Sequence, residues 1–291
     1  MTCTQPCFSE KPATEASIED IILRHSVRGM DLLRPYLDEH YCLRAARQLL
    51  SLPKGCILLT TGFYVAGHAE TDGPPGTVAL AYTLQKAGFT PVIVTDEICR
   101  GLFEAAQLTV EYVSFDATEA VYDAILMRYQ PSCLISIERC GHNMHNDYVN
   151  MRGVSIAART AQIDRMFEMA GIRHIFTIGI GDGGNEIGMG NLGQIIYHRL
   201  GFEPCTVPVD SLIIATTSNW GAYALSAYLS ILTQTTAFPT YQSISAYLEK
   251  LVTFGCVDGV TKKTTASVDG FAPEIEKEII EALHRHITSY A

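Results

Sequence analysis

The sequence predicts an α/β protein, a mainly parallel sheet flanked by helices, Rossmann-like in its layering, with long glycine-rich loops at one sheet edge. Three observations predict it. Short apolar runs recur along the chain and alternate with helical stretches. The runs are apolar at consecutive positions, as strands buried on both faces are. Several of the connections after them are long, glycine-rich and acidic, where ordinary connections span about 2–6 residues.

Residues 1–16 read as a flexible tail and 17–291 as a single domain, with no repeat or linker to divide it. A helical pattern opens at Asp20-Ile21-Ile22-Leu23 and runs through Met30, Leu32 and Leu33, limited by Pro35. His40 to Leu50 reads as a second helix. Cys56–Thr61, Pro91–Thr95, Val110–Phe115, Cys133–Ile137, His174–Ile180 and Leu212–Ala215 read as strands. Helices are expected over Thr77–Ala87, Glu97–Ala106 and Thr118–Tyr129, and over about 160–170, 186–200, 219–235, 243–253 and 274–288. The segment 255–272, with its glycines and Asp269-Gly270, reads as an irregular hairpin or loop excursion.

Composition narrows the function classes. The 291 residues are 47% hydrophobic and 18% charged, enough for a core and far from a disordered chain. A formal net charge of -10 argues against nucleic acid and against an anionic membrane surface. No apolar run reaches the length of about 18 residues that a membrane span needs. The first fifteen residues carry Glu10, Lys11 and Glu15 and no signal-type apolar stretch. Nine cysteines, without any Cys-x-x-Cys, read as buried free thiols of a reducing, cytoplasmic compartment. Cys3 and Cys7 fall in the expected tail.

Ligands of parallel α/β sheets bind beyond the carboxyl ends of the strands. The loops after the first, fourth, fifth and sixth strands should therefore gather. The first holds Glu70-Thr71-Asp72-Gly73-Pro74-Pro75-Gly76, two acids on a stiff turn, with Thr77 a candidate cap for the next helix. Its plain reading is a solvated surface turn. The second opens with Glu138-Arg139, a carboxylate-clamping arginine or one half of a structural ion pair. It continues through His142 and His145, read as exposed loop histidines, to Asn150 and Arg152.

The third is Gly179-Ile180-Gly181-Asp182-Gly183-Gly184-Asn185-Glu186. Its glycines satisfy a dinucleotide pattern, but Asp182 and Glu186 put negative charge where a phosphate would sit, so no nucleotide is expected. Carboxylates on a glycine scaffold suit a hard divalent cation, Mg²⁺ or Mn²⁺, or a general acid/base pair. The fourth, Ser218-Asn219-Trp220-Gly221, offers Asn219 as a helix cap or as a donor to a developing oxyanion.

Taken together, these segments resemble the D-glutamate cyclase family in its C-terminal, catalytic-type domain. Glu70-Thr-Asp72-Gly-Pro-Pro-Gly76, Ile137-Glu138-Arg139, Asn150-x-Arg152, Ile163-Asp164-x-x-Phe167, Gly181-Asp182-Gly-Gly-Asn185-Glu186-x-Gly-Met-Gly190, Ser218-Asn219-Trp220-Gly221 and Val268-Asp269-Gly270 run in family order. The resemblance covers about residues 55–290. It departs at 140–148, where Gly141-His-Asn-Met-His-Asn stands in place of a small, acidic pattern, so the substrate is the open point.

The resemblance implies conversion of D-glutamate to 5-oxo-D-proline with loss of water, here in a stand-alone form without the N-terminal domain of animal members. On that reading Asp72, Asp182 and Glu186 hold a metal, and Arg139 clamps the α-carboxylate. Glu138 moves the proton and Asn219 stabilises the tetrahedral intermediate. Glu70, Asn150, Arg152, Asn185 and Trp220 contact an amino-acid-like substrate. Two alternatives stay open: a metal-dependent phosphate-ester hydrolase, and a non-catalytic ligand-binding module. Homo-oligomerisation stays open too.

Overall fold

A computed structural model describes residues 16–290. The tail expected over 1–16 and the cysteines Cys3 and Cys7 thus lie outside the described residues, apart from Ala16. The chain opens with two short helices, α1 (Ile18–Ile22) and α2 (Met30–Leu33), then α3 (Tyr41–Ser51). Strand β1 (Cys56–Thr60) leads into a small hairpin, β2 (Tyr64–Val65) and β3 (His68–Ala69), and then α4 (Pro74–Lys86). There follow β4 (Thr90–Asp96), β5 (Thr109–Val113), α5 (Glu119–Tyr129), β6 (Cys133–Ile137), α6 (Arg165–Arg173) and β7 (Phe176–Gly181). The chain ends with α7 (Gly193–Leu200), β8 (Ser211–Ile214), α8 (Ser218–Thr233), α9 (Tyr241–Thr253) and α10 (Pro273–Thr288).

Six of the strands form one parallel sheet in the order β5-β4-β1-β6-β7-β8. The order grows outward from β1 in one direction, then restarts beside β1 with β6. That is the doubly wound arrangement, and its switch point lies between β1 and β6. Strands β6 and β8 are buried at every position, which explains their uninterrupted apolar runs. Helices α4 and α8 pack on each other so closely that a Cβ at Gly76 would stand 2.9 Å from the Ala222 Cβ.

Three expected helices differ. The stretch from Asp20 to Leu33 is not one helix: it breaks at residues 23–29, where His25 (φ 58°) and Gly29 (φ 81°) turn left-handed. Glu97–Ala106 forms two 3₁₀ turns around Gly101 (φ 90°). The helix expected from 186 begins as a 3₁₀ turn, with α7 proper starting at Gly193, because Gly188 (φ 106°) bends the chain first. Residues 255–272 form an irregular excursion as expected, gathered around the Asp258 carboxylate. It accepts from the backbone N–H groups of Val260, Thr261 and Gly270 and from the Ser267 hydroxyl. No described helix is long and apolar enough to cross a membrane. The seven described cysteines are free thiols, and all but Cys56 are buried.

Candidate active site

The loops after β1, β6, β7 and β8 meet at the switch point. Two of them hold each other. The Asp72 carboxylate accepts from the backbone N–H groups of Ser218 (2.8 Å) and Asn219 (2.8 Å), capping the start of α8. In return the Asn219 Oδ1 accepts from the N–H groups of Gly73 (3.0 Å) and Gly76 (2.8 Å) at the start of α4, and its Nδ2 donates to Thr71 O. The helix cap expected of Thr77 is therefore supplied from far along the chain. The Thr77 hydroxyl donates backward to Gly73 O instead. Gly73 (φ 96°) admits no side chain, since a Cβ there would lie 2.9 Å from the Glu138 Cβ.

Glu138 leaves β6 in the left-handed region (φ 49°), a conformation that costs a non-glycine residue about 1–2 kcal/mol. That turn sets its carboxylate beside the Ser218 hydroxyl, which donates to Oε2 at 2.5 Å. Oxygens of Asp72, Glu138 and Asp182 all lie within 4.8 Å of one another, and all three side chains are buried. Arg28, on the turn between α1 and α2, reaches across from outside these loops. It donates to Asp182 Oδ1 and Asp269 Oδ1, each at 2.5 Å. Asp269 also turns left-handed, at φ 52°.

The carboxylates are only partly satisfied. Glu70 Oε1, Asp182 Oδ2 and Asp269 Oδ2 are buried without a hydrogen-bond partner. Buried polar groups are nearly always paired, so three orphans in one cluster mark a place built for a ligand. Glu70 and Asp269 belong to the wall of a chamber of about 550 Å³, lined also by Arg28, Glu138, Arg152, Asn185 and Lys262, and Asp182 is tied to that wall through Arg28.

Electrostatics follow from this crowding. Burial, then repulsion from Asp269 and Asp72, pushes the Glu70 carboxyl well above its usual range. Burial, then Glu186 and Glu70, does the same to Glu138. Burial also raises Asp182, against the pull of Arg28. Burial and Asp269 raise Asp72 to about 7, although the α8 N–H groups pull it down. Burial opposes the charge on Arg28, yet Asp182, Asp269 and Glu138 hold its pKa well above the ordinary guanidinium value.

Several expected site residues are placed elsewhere. Arg139 is buried away from the chamber wall. Its guanidinium pairs with Asp96 (2.6 Å) and donates to Gly62 O (2.9 Å) and Ala161 O (2.6 Å); its Nε has no partner, but the side chain is buried off the chamber and out of reach of a substrate carboxylate there. The side chain of Asn219 is held in capping, with Oδ1 accepting twice and one Nδ2 N–H donating to Thr71 O, and Asn219 is not among the residues lining the chamber. Trp220 is buried with its Nε1 donating to Glu276 Oε2 (2.5 Å), behind α8 rather than at the chamber. Glu186 does line the chamber, but both its oxygens accept from the glycine loop, from the N–H groups of Gly183 (2.8 Å) and Gly184 (2.6 Å). Glu138 stands where Glu186 was expected, beside Asp72 and Asp182. His142, expected as an exposed loop histidine, is largely covered and sits 2.7 Å from Asp164.

Glu70, Asn150, Arg152 and Asn185 do line the chamber. Arg28, Asp269 and Ser218 were given no site role from sequence. Asp269 and Ser218 lie within the segments that carry the resemblance; Arg28 carried no signal beyond the neighbouring Gly29.

A family model described as "D-glutamate cyclase-like, C-terminal" matches residues 18–284. The chain belongs to this family. Its match to the human mitochondrial D-glutamate cyclase is 32% identical over 201 residues, 60% of this chain and 33% of that one, so the chain spans about a third of that relative's length. Among solved structures, a ribokinase-like superfamily protein of Enterococcus faecalis is 11% identical, with a TM-score of 0.30 over 84% of this chain and 95% of that one. The family match starts at Ile18, so the Arg28 turn belongs to the family unit rather than to a separate lead-in.

Proposed function

We propose that this site closes D-glutamate, or a close analogue, into the corresponding five-membered lactam, 5-oxo-D-proline for glutamate, with loss of water. One observation carries the reading: the orphan oxygens of Glu70, Asp182 and Asp269 around Arg28, at the switch point of a sheet whose family is D-glutamate cyclase-like. Ring closure needs an α-amine that has lost its proton and a γ-carboxyl that has gained one. An acidic chamber draws the substrate ammonium to Glu70 and Asp269. Carboxyls held neutral by burial then supply a proton to the departing oxygen. Glu138 is the group for that step where no cation is bound, because it lines the chamber and Ser218 fixes one of its oxygens. Arg152 and Lys262, exposed cations on the same chamber, receive the substrate carboxylates.

A divalent cation fits the buried acid triad. Asp72, Glu138 and Asp182 each offer an oxygen, and Asp182 Oδ2 has no other partner. An all-oxygen set suits Mg²⁺ or Mn²⁺, which would supply Lewis-acid polarisation of the γ-carboxyl.

The test is incubation with D- and L-glutamate, with EDTA or added Mn²⁺, following 5-oxoproline by chiral chromatography. Product from the D-isomer that is lost with EDTA supports both ring closure and the cation. Product that persists in EDTA removes the cation from the proposal. Absence of product under every condition rejects ring closure of glutamate.

A further inference from the structure

A second, smaller chamber of about 220 Å³ lies beside the first. The two share a wall made of Asn150, Met151 and Asn185. Its far side is formed by Val149 and Phe202, with Asp147 and Glu203 at its acidic edge.

Asn185 in the shared wall is 3% exposed. Its Nδ2 donates to Val149 O at 2.7 Å, which fixes the orientation of the amide. The other end, Oδ1, is buried and has no partner. A buried acceptor without a donor is costly, so the ligand at this point should carry an N–H or O–H. A free γ-carboxyl offers one only after it has taken up a proton. An amide at the same carbon brings an N–H, and its alkyl arm would extend into the apolar part of the smaller chamber.

We propose that the smaller chamber is a leaving-group subsite, and that the preferred substrate is a γ-glutamyl amide of an alkylamine rather than free glutamate. This rests on the ring-closing function proposed above and names its substrate class. The chemistry balances without a further reactant. The α-amine nitrogen attacks the γ-carbonyl carbon and forms the ring bond. The bond from that carbon to the alkylamine nitrogen breaks, and the two protons that the α-ammonium sheds in becoming the ring N–H both end on the departing nitrogen. The products are 5-oxoproline and an alkylammonium, which Asp147 and Glu203 are placed to receive.

The experiment compares D-γ-glutamylbutylamide with D-glutamate, reading 5-oxoproline formation as kcat/KM, in the unmodified protein and in Glu203→Lys. Glu203 is partly exposed, and thermal melting confirms that the variant folds. The amide should exceed free glutamate by at least about tenfold. In Glu203→Lys the amide-to-glutamate ratio should fall by about tenfold, because a cation then faces the departing ammonium. If glutamate cyclises and the amide shows no advantage, this inference fails while the ring-closing function stands. If the amide is preferred but the ratio does not move in Glu203→Lys, the leaving-group assignment of the chamber fails. If neither compound gives 5-oxoproline, both proposals fail.

Discussion

Two sets of buried carboxylates in this protein solve the same physical problem in opposite ways. Glu276, on α10, has both oxygens occupied: Tyr223 donates to Oε1 at 3.0 Å and Trp220 to Oε2 at 2.5 Å. Glu19, on α1, is the same, with the Cys42 N–H on Oε1 and the Tyr228 hydroxyl on Oε2. At the switch point, Glu70, Asp182 and Asp269 each keep an oxygen that nothing in the protein satisfies. Burial raises the carboxyls of Glu19, Glu276, Glu70 and Asp182 alike. A raised pKa therefore does not separate structural from functional acids here. Completeness of hydrogen bonding does, because a structural acid has every lone pair answered by the fold and a binding acid waits for its ligand.

The largest expected effect breaks this contrast at its functional end. Asp182→Asn keeps the shape but removes a charge from the Arg28 strap and an oxygen from the cation set. Lactam formation should fall by roughly a thousandfold, and calorimetry should show Mn²⁺ binding lost. Turnover and binding that both survive would remove Asp182 from the site.

Arginines sharpen the same contrast. Arg139 is tied to Asp96 and two carbonyls, whereas Arg28 bridges two acids that still have open oxygens. Arg139→Met leaves Asp96 buried without its cation, which should cost about 3–5 kcal/mol in urea unfolding. Arg28→Met should also cost stability, because it leaves the buried Asp182 and Asp269 without their cation, but it should in addition lower the turnover of the folded protein, since Arg28 stands at the chamber. The reverse pattern would exchange their roles.

The acids also set a pH dependence. Asp72 ionises near 3.8 in an ordinary setting and at about 7 here, so the folded protein holds a proton that the unfolded chain gives up. Its contribution to stability is full below about pH 4 and is lost as pH rises through about 7. The melting temperature should fall by several degrees between pH 5 and pH 8, a shift of the size expected for a few kcal/mol. Mn²⁺ should recover part of it at pH 8 by taking the place of the protons. A flat profile would show that the cluster has other means of neutralisation.

Much of this was legible in the sequence, and the rest was hidden for identifiable reasons. The six strands could be read because buried parallel strands are short apolar runs such as Cys133–Ile137. The loops that meet at the site could be read because Asp72, Glu138 and Asp182 each follow such a run. Arg28 could not, since Ile21, Ile22, Met30 and Leu33 are all buried and mimic one continuous helix across the turn that carries it. The exchange of caps between Asp72 and Asn219 spans residues far apart in the chain, so local spacing gives no trace of it. Arg139 and Trp220 looked functional because they adjoin functional residues, yet a strand end or first helical turn sends neighbouring side chains in different directions.

The smallest effect tests the structural end of the contrast. Glu276→Gln keeps size and one acceptor oxygen, but its amide nitrogen must face one of two donors, the Tyr223 hydroxyl or the Trp220 Nε1–H. The tyrosine hydroxyl can rotate to accept instead; the indole N–H cannot. The carbonyl oxygen should therefore stay with Trp220 and the amide with Tyr223, at a cost of about 1–2 kcal/mol. Because burial raises the Glu276 carboxyl, the unmodified protein loses stability as pH rises from the ordinary carboxylate range while the glutamine variant does not, so the substitution should cost less at neutral pH than at acid pH. Lactam formation should be retained, because α8 carries Ser218 and Asn219 on its first turn, with their own bonds to Glu138 and Asp72. Loss of activity without loss of stability would show that Glu276 and the chamber communicate through α8, and would place the structural acid within the functional set.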